Sequence, residues 1–418
     1  MNTTDQFGSS VMKTSKKRTS RIKKTIHVIA EYFYPVTSGM EVNMLETYKN
    51  LVQNGWDVIV HTTNSTHIEK GVLRTFERIN GIKINRYGSK TYRYLPFIFK
   101  IKLNRGDTIA LHGNDIFPFF YFYFFAIVSK LFGKKHFYLF FTPHGLYDQV
   151  TGNEASLKVK AKKLIDFKFG SFLINKAVNG VRAVSEWERN VLIEAGINST
   201  KTKAITNGIE DEAFADLQKL ASKEVKGKIK RIGKYIIQIG RIQTYKNYEV
   251  VIRSLKLLPE DVNFLVVGLD YSKSYREKLD DLITDLKLES RVHIISNLNK
   301  VDKYYAINKS QLMVHMSKLE GFCNAVHEGI SQGLVCIVSN TTALPYLIKD
   351  GVNGYCLAPN DFKAVAEKIK FVLKNKNSTK ILEMEKRNKD FAAGHSWQNV
   401  AQEVEDFYSE RMATAFNQ

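Results

Sequence analysis

The chain has 418 residues, 44% hydrophobic and 25% charged, which is the usage of a soluble globular protein and too long for one ordinary domain. Its 62 Lys and Arg against 42 Asp and Glu leave a formal charge of +20, so an anionic partner is expected. A largely disordered chain is excluded, and so is a disulfide scaffold, because the three cysteines, Cys323, Cys336 and Cys356, match no disulfide or metal-ligand spacing.

Residues 1–24 place Lys13, Lys16, Lys17, Arg18, Arg21, Lys23 and Lys24 in a Ser/Thr-rich stretch without apolar periodicity, the pattern of a disordered basic tail. The tail lacks the apolar run of a signal peptide, which predicts a cytoplasmic location. From Thr25 onward short β-rich runs alternate with helical patterns, the signature of βα units in a parallel sheet. TIHVIA, WDVIVHTT, IKINRYG, DTIALHG, HFYLFFT, GVRAVS and TKAIT are the strands; helices over Glu41 to Gln53 and Glu186 to Ala195 close on Gly55 and Gly196. The aromatic run at 116–132 is interrupted by Pro118 and Lys130 and falls short of the ~20 residues of a membrane span, so it reads as a buried or interfacial helix.

A polar stretch near 207–227 interrupts the alternation, which resumes with KYIIQIG, NFLVVG, RVHIIS, QLMVHMS, VCIVSN and GYCLA. The predicted fold is therefore α/β with two Rossmann-like domains, 25–207 and 228–392, joined by a linker at 208–227 and followed by a C-terminal helical region at 393–418. Ligands of such sheets bind beyond the carboxyl ends of the strands, which places a site in the cleft between the domains.

Four motifs fall just after strands. In SKLEGFCNAVHEGISQG, Glu320 stands in a loop and Glu328 about a turn into a helix that starts near Asn324. The backbone amides of Gly321, Phe322, Cys323 and Asn324 are suited to a phosphate or a sugar hydroxyl. Eight residues at ~1.5 Å rise span at most ~12 Å, roughly one nucleotide-sugar diphosphate, although on spacing alone a solvated helix face is the better account of two carboxylates. In IGRIQTYKN, Arg241 and Lys246 suit a diphosphate leaving group or are two surface cations of a lysine-rich chain. In FFTPHGLYD, His144 points at the same cleft from the first domain, as a catalytic group or as a structural hydrogen-bonder. In YFYPVTSGMEVN, Gly39 after the first strand permits close backbone approach. There is no Asp-x-Asp and no His/Cys cluster with metal spacing, so no metal or other cofactor is implied; a phosphate loop of the G-x-x-x-x-G-K-[ST] type and a G-x-G-x-x-G fingerprint are missing too.

Taken together, PVTSGMEVN, PHG, AITNGIEDEAF, IGRIQTYKN, EGFCNAVHE, ISQGLVCIVSN and DGVNGYCL, in that order from about Ile26 to Phe407, resemble the retaining glycosyltransferases of family 4. This group of GT-B fold includes bacterial lipopolysaccharide, exopolysaccharide and phosphatidylinositol mannosyl transferases. The resemblance implies a sugar transfer from a UDP- or GDP-sugar to a glycan or lipid-linked acceptor, without metal. It implies that Arg241 and Lys246 bind the donor diphosphate, Glu328 the ribose, and Glu320 with the following amides the transferred sugar. His144 would contact the sugar near the reacting carbon, and Gly39 would let the first loop approach the phosphates. It further implies same-face attack with the leaving diphosphate deprotonating the acceptor, and a helix, SWQNVAQEVEDFY, that crosses back to the first domain. Three departures stand out: Ser38 in place of a glycine, Tyr346 in place of an acidic residue, and Val335 in place of a proline.

Outside the tail, cations and aromatics interleave in KTYRYLPFIFKIKLNR and continue into the run at 116–132, which suits an anionic membrane surface. A peripheral enzyme at the inner face of the cell membrane is the expectation, with no nucleic-acid partner. A catalytically silent GT-B partner protein, a basic nucleic-acid binder and a sugar-nucleotide epimerase are the rival readings.

Overall fold

The computed structural model describes residues 24–66, 69–88, 97–113, 119–132, 137–145, 169–296 and 298–416. Residues 1–23 of the basic tail, the KTYRY portion of the basic-aromatic stretch and Pro118 lie outside the described residues.

The first sheet has eight strands in the order β3-β4-β2-β1-β5-β6-β7-β8. They are β1 (Thr25–Ala30), β2 (Asp57–Thr63), β3 (Phe76–Ile79), β4 (Ile82–Tyr87), β5 (Asp107–His112), β6 (Phe137–Thr142), β7 (Gly180–Ala183) and β8 (Thr202–Ala204). All neighbours are parallel except β3 and β4. The helices of this half are α1 (Gly39–Gln53), α2 (Phe120–Leu131), α3 (Ser171–Ala177) and α4 (Glu186–Glu194). Strand β3 was not expected. Its FERI alternates exposed and half-buried residues at the sheet edge, and it turns into β4 through Asn80 and Gly81, both at positive φ, which is the Asn-Gly hairpin signal.

The second sheet has six parallel strands in the order β11-β10-β9-β12-β13-β14. These are β9 (Tyr235–Ile239), β10 (Asn263–Val267), β11 (Val292–Ile295), β12 (Met313–His315), β13 (Cys336–Ser339) and β14 (Gly354–Leu357). With them go α5 (Leu217–Leu220), α6 (Lys223–Ile232), α7 (Tyr248–Leu255), α8 (Lys273–Asp285), α9 (Lys300–Asn308), α10 (Asn324–Ser331), α11 (Leu344–Leu347), α12 (Phe362–Lys374), α13 (Thr379–Ala393) and α14 (Trp397–Phe416).

Both sheets are covered on both faces, and for that reason their strands read as continuous apolar runs. Successive residues serve opposite cores: Val28 packs with Met44 and Tyr48 of α1, whereas its neighbour Ile29 packs with Phe122 of α2 and Ile174 of α3. The stretch 208–227, expected as a linker, is folded. Ile209, Ala213, Leu217, Ala221 and Val225 are buried in the core of the second domain, so α5 and α6 belong to that domain and the true crossing is confined to about Asn207 and Gly208. Polar composition concealed this because each short helix buries only one side.

The C-terminal helix α14 does cross back. Trp397, Val400, Val404, Phe407 and Tyr408 follow helical spacing and are buried with β1, β2 and α1 in the first domain. The two crossings run side by side: Ile209 N–H donates to His395 C=O at 2.7 Å. A Cβ on Gly208 would lie 2.7 Å from the Trp397 backbone, so the outgoing and returning chains approach closely only because this position has no side chain.

Candidate active site

The signature segment forms as expected, with Glu320 in the loop after β12, Asn324 as the first residue of α10, and Glu328 inside that helix. Cys323 caps the helix from the left-handed region at φ 82°. Among the described residues, no protein acceptor takes a hydrogen bond from the amides of Gly321, Phe322, Cys323 or Asn324, so the helix start offers four donors and the positive end of its dipole. Burial pushes the Cys323 thiol well above its usual range, so it stays protonated and contributes shape rather than reactivity.

Glu320 is not a free carboxylate. Its Oε1 accepts from Lys246 Nζ at 2.7 Å and lies 2.8 Å from His315 Nε2, and its backbone N–H donates to Thr342 Oγ1 at 2.9 Å. Burial alone would raise the Glu320 carboxyl, but the Lys246 ammonium and His315 hold it well below the usual carboxylate range. Lys246 is correspondingly held charged in a buried position by Glu320. The residues expected to grip diphosphate and sugar separately are therefore one ion pair.

The pair is held by backbone. Lys318 N–H donates to Tyr245 C=O at 2.8 Å, Gln238 Nε2 donates to Lys246 C=O at 2.9 Å, and Asn247 Nδ2 ties the turn to Met316 C=O at 3.1 Å and Pro359 C=O at 2.6 Å. Arg241, on the same loop leaving β9, stacks its guanidinium 4.7 Å from the Tyr271 ring centroid. Among the described residues no carboxylate pairs with it, so it is the cation of the loop left for an anionic ligand.

The first domain supplies the opposite wall. Gly39 opens α1, and a Cβ there would sit 3.6 Å from Asn324 Nδ2, so the starts of α1 and α10 face one another. The expected loop role of Gly39 thus becomes a helix start, and Ser38, which stands in place of a glycine, caps it by engaging the Glu41 carboxylate, with Ser38 N–H to Oε2 at 3.1 Å. Asn43 Nδ2 donates to Asn207 Oδ1 at 2.5 Å and Asn207 Nδ2 donates to Asn324 Oδ1 at 2.6 Å, a buried line from α1 through the crossing to α10. Ser185, the cap of α4, donates its hydroxyl to Gly321 C=O at 2.7 Å. Tyr346 OH accepts from Asn190 Nδ2 at 3.3 Å, so the residue that replaces an acid also bridges the cleft. Val335 is core.

His144 sits at φ 52° after β6, with Nε2 2.8 Å from His112 Nδ1; His112 Nε2 is in turn 2.6 Å from Tyr48 OH. Burial, reinforced by the Arg182 cation, lowers the His144 imidazole to about 3, so it is neutral at physiological pH. The turn that carries it hangs on Glu188, whose carboxylate accepts from the backbone N–H groups of Gly145 and of Val184, the latter at 2.7 Å. Burial pushes the Glu188 carboxyl up to about 7 even though both amides favour its charge.

Glu328 is also engaged. Lys303 Nζ lies 2.8 Å from Glu328 Oε1 and 3.2 Å from Glu210 Oε2, and Lys300 Nζ lies 3.0 Å from Glu210 Oε1 and 3.1 Å from Glu46 Oε1. Neither lysine was singled out from the sequence, nor were His315, Arg182 and Glu188, and Asn207 was read only as part of the Asn-Gly of the crossing. The available signals were faint: Ser185-x-x-Glu188 looks like a capping box, and Asn207 stands in the Asn-Gly of the crossing.

Two facing Rossmann-like domains, with an anion-ready helix start and a buried Lys-Glu pair at the strand ends between them, define a GT-B glycosyltransferase. The description "Glycosyl transferases group 1" matches residues 222–390 and "Glycosyltransferase Family 4" matches residues 37–213, one per domain. The chain belongs to the family 4 glycosyltransferases. It is 24% identical over 411 residues to the GDP-mannose:cellobiosyl-diphosphopolyprenol alpha-mannosyltransferase of Komagataeibacter xylinus, covering 96% of each chain. It is 28% identical over 218 residues to the UDP-Gal:alpha-D-GlcNAc-diphosphoundecaprenol alpha-1,3-galactosyltransferase of Escherichia coli, covering 49% of this chain and 54% of that one. The fold superposes on that of Anabaena HepE in complex with UDP with a TM-score of 0.71 at 17% identity, over 93% of this chain and 100% of the other.

Proposed function

We propose that this glycosyltransferase moves a hexose from a UDP- or GDP-sugar to a glycan or lipid-linked acceptor, with retention and without a metal. The observation that carries the reading is the run of four amides, Gly321 to Asn324, that have no protein partner among the described residues and open beside the Lys246–Glu320 pair. These amides, Lys246 and the unpaired Arg241 would stabilise the charge that develops on the diphosphate as the glycosidic bond breaks. Gly39 would keep the start of α1 close to that diphosphate, Glu320 would orient the hexose, and Glu328 would take the ribose hydroxyls. A neutral His144 can hydrogen-bond the sugar near its reacting carbon without placing a second cation beside an oxocarbenium-like centre. Same-face attack, with the leaving diphosphate accepting the acceptor proton, asks for no protein nucleophile. The named relatives use GDP-mannose and UDP-galactose on diphosphopolyprenol-linked acceptors, which supports a nucleoside diphosphate hexose and a lipid-borne glycan here.

The metal-free reading has support in charge. His315, Glu320 and Cys323 place ligand atoms within 4.8 Å of one another, but the Lys246 ammonium is already bonded to that carboxylate, and a divalent cation would have to displace it.

No helix among the described residues is long and apolar enough to cross a membrane. Helix α2 buries Phe122, Tyr123 and Ala126 yet exposes Tyr121, Phe124, Leu131 and the adjoining Phe132, and Phe169 and Phe172 at the neighbouring α3 are exposed as well. With Lys176 beside Phe172, this face supports peripheral docking on an anionic leaflet, next to which a lipid-linked acceptor would be met.

Thermal unfolding of the purified chain with UDP-, GDP- and ADP-sugars tests the reading, since a ligand that binds only the folded state raises the melting temperature. A rise with UDP- or GDP-sugars is the expected result, and no rise with any of them would overturn the donor assignment.

A further inference from the structure

Glu328 Oε1 bonds to Lys303, while Glu328 Oε2 is buried and, among the described residues, has no hydrogen-bond partner. A buried carboxylate oxygen left bare costs free energy that a ligand hydroxyl can restore. Burial raises the Glu328 carboxyl, with Glu210 adding to the rise, and Lys303 is the principal group that opposes both. Lys303 is itself half-buried and held charged by Glu328 and Glu210.

The two carboxylates come from different parts of the chain. Glu210 follows the interdomain crossing, and Glu328 lies in α10; Lys303 reaches both from α9, whose first turn is fixed by Asn299 capping the Asp302 amide at 2.9 Å. From Glu210 the line continues through Lys300 to Glu46 on α1 of the other domain. The orientation of Glu328 is thereby tied to the domain arrangement, and Asp302, which accepts from the Ser222 amide at 2.7 Å, anchors α9 to the start of α6.

We propose that Lys303 is a positioning residue of the donor site: it turns Oε1 of Glu328 toward itself and so leaves Oε2 to accept from the ribose hydroxyls of a nucleoside diphosphate. The assignment rests on the donor reading above. Lys303 does not touch the reacting atoms; it acts through Glu328 and, by way of Glu210 and Lys300, makes ribose recognition depend on the arrangement of the two domains.

Calorimetric titration of UDP, GDP and their 2′- and 3′-deoxy counterparts into the full chain, Lys303→Met, Glu328→Gln and the double variant tests this. Wild type is expected to prefer the ribonucleotide by about tenfold, the increment of a hydrogen bond to a charged group. Lys303→Met should lose most of that preference while binding the deoxy compounds nearly as well as wild type does, and Lys303→Arg should recover part of it. In the double variant the losses should not add, because both changes remove one interaction. In transfer assays Lys303→Met should raise KM for the donor more than it lowers kcat. A Lys303→Met protein that keeps the preference, or losses that add in the double variant, would overturn the assignment while leaving the donor reading intact. Wild type that binds none of these nucleotides would overturn both. Where Lys303→Met does not fold, Lys303→Gln, which keeps polar contact with both carboxylates but no charge, decides by the same readings.

Discussion

The ammonium of Lys246 lies 2.7 Å from the Glu320 carboxylate, joining the loop that leaves β9 to the loop that leaves β12. Each residue is nearly buried, and each keeps its charge because of the other. Removing one partner of such a pair leaves an uncompensated buried charge, whereas removing both does not.

Lys246→Ala is therefore expected to lower unfolding stability by about 3–5 kcal/mol as well as to abolish transfer. Lys246→Met combined with Glu320→Leu should recover most of that stability and none of the activity. Urea denaturation of the single and double variants, with transfer assays on the same preparations, checks both halves. A Lys246→Ala protein as stable as wild type would show that the pair does not form in solution.

The same pair bears on metal dependence. With an ammonium already bonded to the one carboxylate of the His315, Glu320 and Cys323 cluster, a divalent ion gains little there. Transfer is expected to proceed undiminished in EDTA, and an absolute requirement for added manganese would contradict this.

Much of the fold could be read from the chain because buried parallel strands are short apolar runs set between helical patterns, and thirteen of the fourteen strands among the described residues coincide with such runs. The exception, β3, is an edge strand whose Phe76 and Arg78 face outward, so it carries no apolar signal. The site was legible as a set of positions, since EGFCNAVHE and IGRIQTYKN have local spacing. Its pairings were not, because they join distant segments: Lys246 to Glu320, Glu328 to Lys303, Glu188 to Gly145. A lysine fourteen residues before the nearest motif, in a chain with 62 Lys and Arg, carries no mark of the carboxylate that it serves.

Glu188 shows such a pairing at work in pH dependence. Burial raises its carboxyl to about 7 from an ordinary 4.5, so the folded protein holds this proton more tightly than the unfolded chain does. The resulting stability is fully present below the unfolded value and is lost as pH rises through about 7, a decline of roughly 3 kcal/mol between about pH 4 and pH 8. Glu188→Gln should flatten that part of the stability profile. It should also lower transfer by about tenfold or more, because a carboxamide oxygen cannot accept from both Gly145 and Val184 as the two carboxylate oxygens do. Urea titrations at a series of pH values compare the two proteins, and a slope shared by both would assign the dependence to another group.

The outer face of α2 offers a separable test. Tyr121, Phe124 and Leu131 recur at helical spacing on the side turned away from Phe122, Tyr123 and Ala126, so they can be changed without opening the core. Replacing Phe124, Leu131 and Phe132 together by serine is expected to leave the melting temperature within a few degrees of wild type, since exposed substitutions cost little. The same protein should co-sediment several-fold less with vesicles rich in anionic lipid, because aromatic and aliphatic side chains supply the apolar part of interfacial binding and the cations the rest. Transfer to a short water-soluble acceptor should survive, whereas transfer to a vesicle-borne acceptor should fall with the binding. Unchanged co-sedimentation at low salt would mean that this face does not meet the membrane.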